Sequence, residues 1–105
     1  RNLSGETLKE LGAVVEVSGE LPSDAAGKFH TNSPRNRPYD WVLVDPVTQR
    51  LCSPVKIAGL EFSSGLIFDS RVFAPLDAVP PVQAGDSAAP QMQHMAVVRD
   101  FLLLP

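Results

Sequence analysis

The sequence predicts an α/β domain dominated by β-sheet, mostly antiparallel or mixed, with few short helices. Hydrophobic residues make up 44% of the 105 residues, which suits one globular domain, residues 1–105, with a modest core. Short runs rich in β-branched and aromatic residues recur along the chain, whereas helix signals are brief. No apolar run approaches the roughly 20 residues that span a bilayer, so we expect a soluble protein without a transmembrane segment.

The N-terminal segment predicts a short helix followed by a strand. Ser4 is a good helix N-cap, and Leu3 and Leu8 have the spacing of a hydrophobic staple, which predicts a helix over residues 4–11. The apolar, β-branched run at residues 13–17 predicts a strand.

The strongest strand prediction is Tyr39 to Asp45. Side chains alternate across a strand, and both faces of this one are apolar except at Asp40. We therefore expect a central strand that is covered on both sides. The remaining predicted elements are weaker: a short strand or an extended strip at residues 29–31, a helical turn at 47–51, strands at 54–58 and 65–68, an irregular proline-containing connection at 70–92 and a last strand at 94–104.

Charge and cysteine content exclude several classes of function. The net charge of −3 excludes a surface that binds polyanions as a whole, so basic residues would have to act locally. The single Cys52 excludes an internal disulfide and a multi-cysteine zinc site. Neither feature predicts a cellular compartment.

Asp40 and His94 are the candidate catalytic residues, each at the start of a predicted strand. An aspartate beside apolar neighbours needs hydrogen-bond donors, which are either backbone N–H groups of a capped turn or the side chain of His94. His94 is correspondingly either a core histidine or the partner of Asp40. An imidazole beside a carboxylate is held in one tautomer and suits proton transfer and phosphate binding.

A basic segment, Arg35-Asn36-Arg37, directly precedes Asp40. Guanidinium groups bind phosphate through two parallel hydrogen bonds, and loops at strand ends are common ligand sites. These three residues are the candidate phosphate-binding residues; the alternative is two solvated surface arginines.

Two motifs resemble the endonuclease/exonuclease/phosphatase superfamily, which has the deoxyribonuclease I-like fold. The run from Arg37 to Val44 resembles its late Tyr-Asp-hydrophobic strand, and the run from Gln93 to Val98 resembles its closing Ser-Asp-His-x-Pro-Val strand. The resemblance implies that the chain is the C-terminal half of a two-sheet α/β sandwich. It also implies divalent-metal-assisted hydrolysis of a phosphate ester, with Asp40 orienting His94 and Mg²⁺ or another divalent cation neutralising charge.

The chain departs from the family pattern at the metal site. Gln93 stands where the family has an acidic residue, and Asp86 is the only nearby substitute that we identify. The Asn and Glu metal ligands, first His and Gly-Asp-x-Asn motif of the N-terminal half have no counterpart. We therefore expect the isolated chain to be inactive. Expected partners are that missing half, a phosphate-ester substrate (nucleic acid, lipid head group or small molecule) and a second copy packed on an exposed sheet face. The alternative function is a non-catalytic interaction or binding module.

Overall fold

A computed structural model describes residues 20–103 of the chain as a small β-rich arrangement of short antiparallel strand pairs with few helices. The predicted helix 4–11 and strand 13–17 lie outside these residues. The described elements are one short helix and six strands: α1 Pro46–Gln49, β1 Cys52–Ser53, β2 Val55–Ile57, β3 Leu60–Phe62, β4 Leu66–Phe68, β5 Ala96–Val98 and β6 Asp100–Phe101.

The strand pair β4–β5 lies next to His94 in the sequence, because β5 begins two residues after it. Leu66 lies opposite Val98 and Phe68 lies opposite Ala96 in an antiparallel register. A parallel bridge from Ser23 extends the pairing on the other side of β4. These elements confirm the strand predicted at residues 65–68.

The last predicted strand, residues 94–104, is confirmed in part because it divides at Arg99. Before Arg99 the chain pairs as β5 with β4, and after it the chain pairs as β6 with β1. The Arg99 guanidinium donates to the carbonyl of Val42 at 2.9 Å and to the side-chain oxygen of Gln49 at 2.7 Å. Arg99 thus ties the change of strand partner to the segment that follows Asp40.

The hairpin β2–β3 falls within the predicted strand 54–58 and the residues after it. Its two turn residues, Ala58 and Gly59, both have positive φ, at 53° and 78°. This combination is typical of the tight turn that matches the twist of paired strands. The hairpin contributes Val55 and Phe62 to the core, which they form together with Leu66 and Phe73.

The predicted helical turn at residues 47–51 is confirmed as α1. Asp45 caps its N-terminus by accepting a hydrogen bond from the backbone N–H of Thr48 at 2.7 Å, and Pro46 occupies the first helical position. No helix within residues 20–103 has the length and hydrophobicity that crossing a membrane requires.

The prediction of a strand at Tyr39 to Asp45 is wrong, because the structure shows no regular strand there. Side-chain contacts hold the segment instead. The Trp41 indole N–H donates to the carbonyl of Pro38 at 2.8 Å, and Arg99 binds the carbonyl of Val42. Alternation of side chains predicts which residues would share a face of a strand, but a strand also needs a neighbouring backbone to complete its ladder. Residues 29–31 likewise form no regular strand, so of the two alternatives predicted there the strand is wrong.

The connection at residues 70–92 is irregular, as predicted, and contains two short 3₁₀ turns, Leu76–Ala78 and Asp86–Ala88. Ser70 and Ser87 close it by a reciprocal pair of hydrogen bonds. Each backbone N–H donates to the other residue's hydroxyl at 2.8 Å. The connection is therefore pinned to the end of β4.

Candidate functional site

Asp40 and His94 meet in the structure although 54 residues separate them in the sequence. The His94 Nδ1 atom lies 2.6 Å from the Asp40 Oδ2 atom, and the two side chains are 47% and 35% exposed. The Tyr39 ring lies beside the His94 ring, with centroids 6.2 Å apart. His94 is therefore not a core histidine, and the pair is open to solvent.

Thr31 positions both members of the pair. Its hydroxyl accepts a hydrogen bond from the backbone N–H of Asp40 at 2.9 Å. Its carbonyl accepts from the backbone N–H of Met95 at 2.7 Å, directly after His94. Thr31 itself is 1% exposed, and its bond to the Asp40 N–H is partly buried, which limits competition from water.

The segment that contains Thr31, residues 30–37, is here called the Thr31 loop. Asn32 forms an antiparallel bridge with His94, and the Ser33 N–H donates to the carbonyl of Gln93 at 2.9 Å. The Asn32 side-chain oxygen accepts from the N–H groups of both Asn36 and Arg37 at 2.8 Å. The loop is thus closed on itself and bonded to the backbone on both sides of His94.

The Asp40 carboxyl is held in its ionised form. Burial, the largest single effect, raises its pKa, but hydrogen bonds from His94 and Thr31 and the charge of His94 together outweigh burial. The pKa of Asp40 therefore lies below its ordinary value. An ionised Asp40 accepts the Nδ1–H of His94, which fixes the tautomer and leaves Nε2 available for chemistry.

Arg35 does not fit the predicted phosphate-binding role. Its guanidinium is buried and binds the carboxylates of Asp24 at 2.6 Å and Asp69 at 2.7 Å. The third donor, Nε, binds the carbonyl of His30 at 2.8 Å. A guanidinium that is enclosed and already paired with two acids cannot receive a substrate phosphate without breaking these pairs.

Asn36 and Arg37, the other predicted phosphate-binding residues, are exposed. The Asn36 side-chain oxygen accepts from the Asn32 amide at 2.6 Å, and the Arg37 guanidinium donates to the carbonyl of Asn36 at 3.2 Å. Arg37 makes no ion pair with any residue of the range 20–103 and stands three residues before Asp40. Its contact with phosphate stays a prediction.

Gln93 and Asp86 are the predicted metal ligands, and their contact with a metal ion stays a prediction. Both side chains are exposed, and Asp86 accepts a hydrogen bond from the N–H of Gln83 at 2.9 Å. Among residues 20–103, no group of three His, Cys, Asp or Glu side chains is placed to hold a metal ion. These residues alone therefore do not fit a divalent cation.

Behind the site lies a charged cluster that the sequence did not predict. Arg35, Asp24 and Asp69 are buried, and Arg71 binds Asp69 through two donors at 2.9 Å each. The only signal in the sequence is that Asp69 and Arg71 follow a strongly apolar strand.

We expect the buried Asp69 to make stability depend on acid pH. Burial raises its pKa, but hydrogen bonds from Arg71 and Arg35 outweigh burial and lower it from 3.8 to about 2. Because the folded-state pKa is below the unfolded value, the ionised form stabilises the fold. That contribution, about 2 kcal/mol, is complete above the unfolded pKa and is lost as the pH falls towards 2.

Urea unfolding of wild type and Asp69→Asn across this pH range measures the effect. The difference in free energy of unfolding between them should narrow by about 2 kcal/mol between about pH 5 and about pH 2. The exposed Asp77→Asn controls for the loss of one carboxylate. A difference that stays constant with pH would contradict the ion pairs of Asp69.

An apolar cleft adjoins the dyad at Asp40. Its walls include two aromatic side chains, Phe29 and Trp41, and the buried Ile67 at its base. Phe29 is 43% exposed and stacks on the His30 ring with centroids 4.4 Å apart. The site thus combines an exposed polar pair with an apolar recess.

Comparison of the chain with protein-family models, curated proteins and solved structures found no match. The superfamily resemblance accordingly stays a prediction that rests on the two motifs around Asp40 and His94.

Proposed function

We propose that this chain is part of a phosphate-ester hydrolase in which Asp40 orients His94 towards the phosphate. The observation that carries the proposal is the 2.6 Å contact between Asp40 Oδ2 and His94 Nδ1 in a solvent-open position. A structural ion pair between two exposed side chains contributes little stability. The dedicated support from Thr31 therefore favours a role in binding or chemistry.

The dyad can perform both tasks that phosphate-ester hydrolysis requires of a protein side chain. With Nδ1–H donated to Asp40, neutral His94 uses Nε2 to accept a proton from an attacking water. In the imidazolium form, Nε2–H donates to a phosphate oxygen and the positive charge stabilises the negative charge that develops there. Asp40 stabilises the second form by its own charge.

A divalent cation, Mg²⁺ or another, enters this proposal from the superfamily resemblance. Gln93 brings an amide oxygen but no charge, and the Asp86 carboxylate already accepts a backbone hydrogen bond. We infer that the charged metal ligands come from outside residues 20–103. The catalytic roles proposed for side chains of this chain are therefore those of Asp40 and His94 alone.

The same proposal includes the two-sheet sandwich, with this chain as one half. Several large apolar side chains are exposed along β5 and after β6, namely Val98, Leu102 and Leu103. Such a surface suits a partner sheet, supplied by an N-terminal half or by a second copy of the chain. A strictly monomeric mass at high protein concentration would count against the second copy.

Phosphate binding to the dyad is directly testable on this chain. In a titration with dimethyl phosphate followed by ring ¹H–¹⁵N NMR, the His94 signals should move and those of His30 should not. Asp40→Asn should weaken the response of His94, because the ring loses its orientation and counter-charge. Ring signals of His94 that do not move at any concentration of dimethyl phosphate would overturn the proposal.

The isolated chain should not turn over substrate. Incubation with Mg²⁺ and either DNA or bis(p-nitrophenyl) phosphate is expected to give no hydrolysis, since the described residues do not fit a metal ion. Clear turnover that disappears in His94→Ala would show that the chain carries a complete site after all.

The second candidate function is a non-catalytic binding module, which the apolar cleft favours. Clefts with aromatic walls and few polar groups are common ligand sites. If the chain is such a module, Trp41→Ala would abolish binding of a ligand in the apolar cleft, whereas His94→Ala would leave that binding unchanged.

A further inference from the structure

The Thr31 loop is anchored from behind by a buried ion cluster. Arg35 Nη2 lies 2.6 Å from Asp24 Oδ2, and Arg35 Nη1 lies 2.7 Å from Asp69 Oδ2. The side chains of Arg35, Asp24 and Asp69 are 7%, 1% and 1% exposed. One loop residue is thus tied to two segments distant in sequence, one before the loop and one after β4.

The positive and negative charges of the cluster are balanced. The cluster also binds the Thr31 loop at a second residue, Ser33. Arg71 supplies the second positive charge, through Nε and Nη2 on Asp69 at 2.9 Å each. Arg71 Nη2 also donates to the carbonyl of Ser33 at 2.9 Å. The two arginines and two aspartates therefore pair completely and hold the loop at two points.

The backbone at Arg35 is shaped to deliver its side chain inwards. Arg35 has a φ of 57°, which a non-glycine residue adopts only where its surroundings require it. Its N–H donates to the carbonyl of Asn32 at 2.8 Å, and its Nε binds the carbonyl of His30. The carbonyl on each side of Thr31 is thereby fixed.

We propose that Arg35 is a positioning residue for the Asp40–His94 pair. It acts through Thr31, whose hydroxyl holds the Asp40 N–H and whose carbonyl holds the Met95 N–H. Fixing Thr31 fixes the separation between the two backbones that carry the dyad. This inference concerns the geometry of the pair and holds whatever reaction or ligand the pair serves.

Arginine is required here by geometry. Three acceptors surround the guanidinium, and they lie along its planar fork. A lysine retains the charge but reaches these acceptors from a single point. Buried ion pairs often add little net stability compared with apolar replacements, whereas they can enforce one arrangement of their surroundings.

The test is the tautomer of His94, read from ring ¹⁵N shifts in the intact chain. Wild type should show mainly the Nδ1–H tautomer at neutral His94. Arg35→Lys should lower the ratio of Nδ1–H to Nε2–H by about two- to thirty-fold, the range for coupling through packed networks. Wild-type ring shifts in a folded Arg35→Lys would overturn the proposal.

Two further variants separate positioning from general loss of stability. Phe62→Leu destabilises the core at the hairpin β2–β3 and should leave the tautomer ratio as in wild type. Asp24→Asn removes the charge of one acid while Asp69 remains, and should give an intermediate ratio even if Arg35→Lys fails to fold. A Phe62→Leu variant that changes the ratio as much as Asp24→Asn would also overturn the proposal.

Discussion

Replacing His94 with alanine should lower kcat/KM for phosphate-ester hydrolysis by about 10²- to 10⁴-fold, the usual contribution of a general acid or base. Under the proposed function, the assay requires this chain together with the metal-binding half that the proposal assigns to the protein. Asp40→Asn should reduce kcat/KM in the same direction but less, because the ring remains while its tautomer and orientation are lost. The double variant should be little worse than His94→Ala, since the two side chains act as one unit.

Loss of activity in these variants should not be caused by unfolding. Both side chains are more than a third exposed, and an exposed ion pair contributes at most about 1 kcal/mol to stability. Urea unfolding of His94→Ala should therefore resemble that of wild type. His30→Gln is the matched histidine control and should retain activity. Equal losses of activity in His30→Gln and His94→Ala would remove the special role of His94.

The candidate pair was predictable from sequence, but not for the reason that local pattern suggested. Alternation around Asp40 predicted a central strand that the structure does not contain. What the sequence does show is two short motifs, one with an aspartate and one with a histidine, whose side chains suit a hydrogen-bonded pair. Their meeting depends on Thr31, a residue without any motif, whose hydrogen bond to Asp40 joins two residues nine positions apart in the sequence.

The role of Arg35 was not predictable for a different physical reason. Arginine is rarely buried, so a basic residue in a polar loop favours a surface position. Its counter-charges, Asp24 and Asp69, lie 11 and 34 residues away. No local signal pairs residues at such distances. By contrast, the strand β2, the helical turn α1 and the strand β4 were predicted, because neighbouring residues specify them.

Gly65 shows how a single glycine supports the strand pair that leads to the site. It lies directly before β4 with a φ of +115°, and its N–H and carbonyl bond to Phe62 and Ser23. A Cβ atom there would lie 2.6 Å from the carbonyl oxygen of Val98, closer than real Cβ contacts allow. That oxygen belongs to the backbone, so it cannot rotate away as a side chain would.

Gly65→Ala should therefore lower the free energy of unfolding by about 2 to 6 kcal/mol, from backbone strain of about 1–3 kcal/mol together with overpacking of about 1–3 kcal/mol. Gly27→Ala is the matched control, because Gly27 has a φ of +85° with open space around the added carbon. It should lose only the strain, about 1–2 kcal/mol. Urea unfolding of both variants isolates the clash as the difference between them. Equal losses in the two variants would mean that β4 and β5 do not approach as closely at Val98 as the structure shows. The strand pair that leads to His94 would then constrain the position of His94 less than its 2.6 Å contact with Asp40 requires.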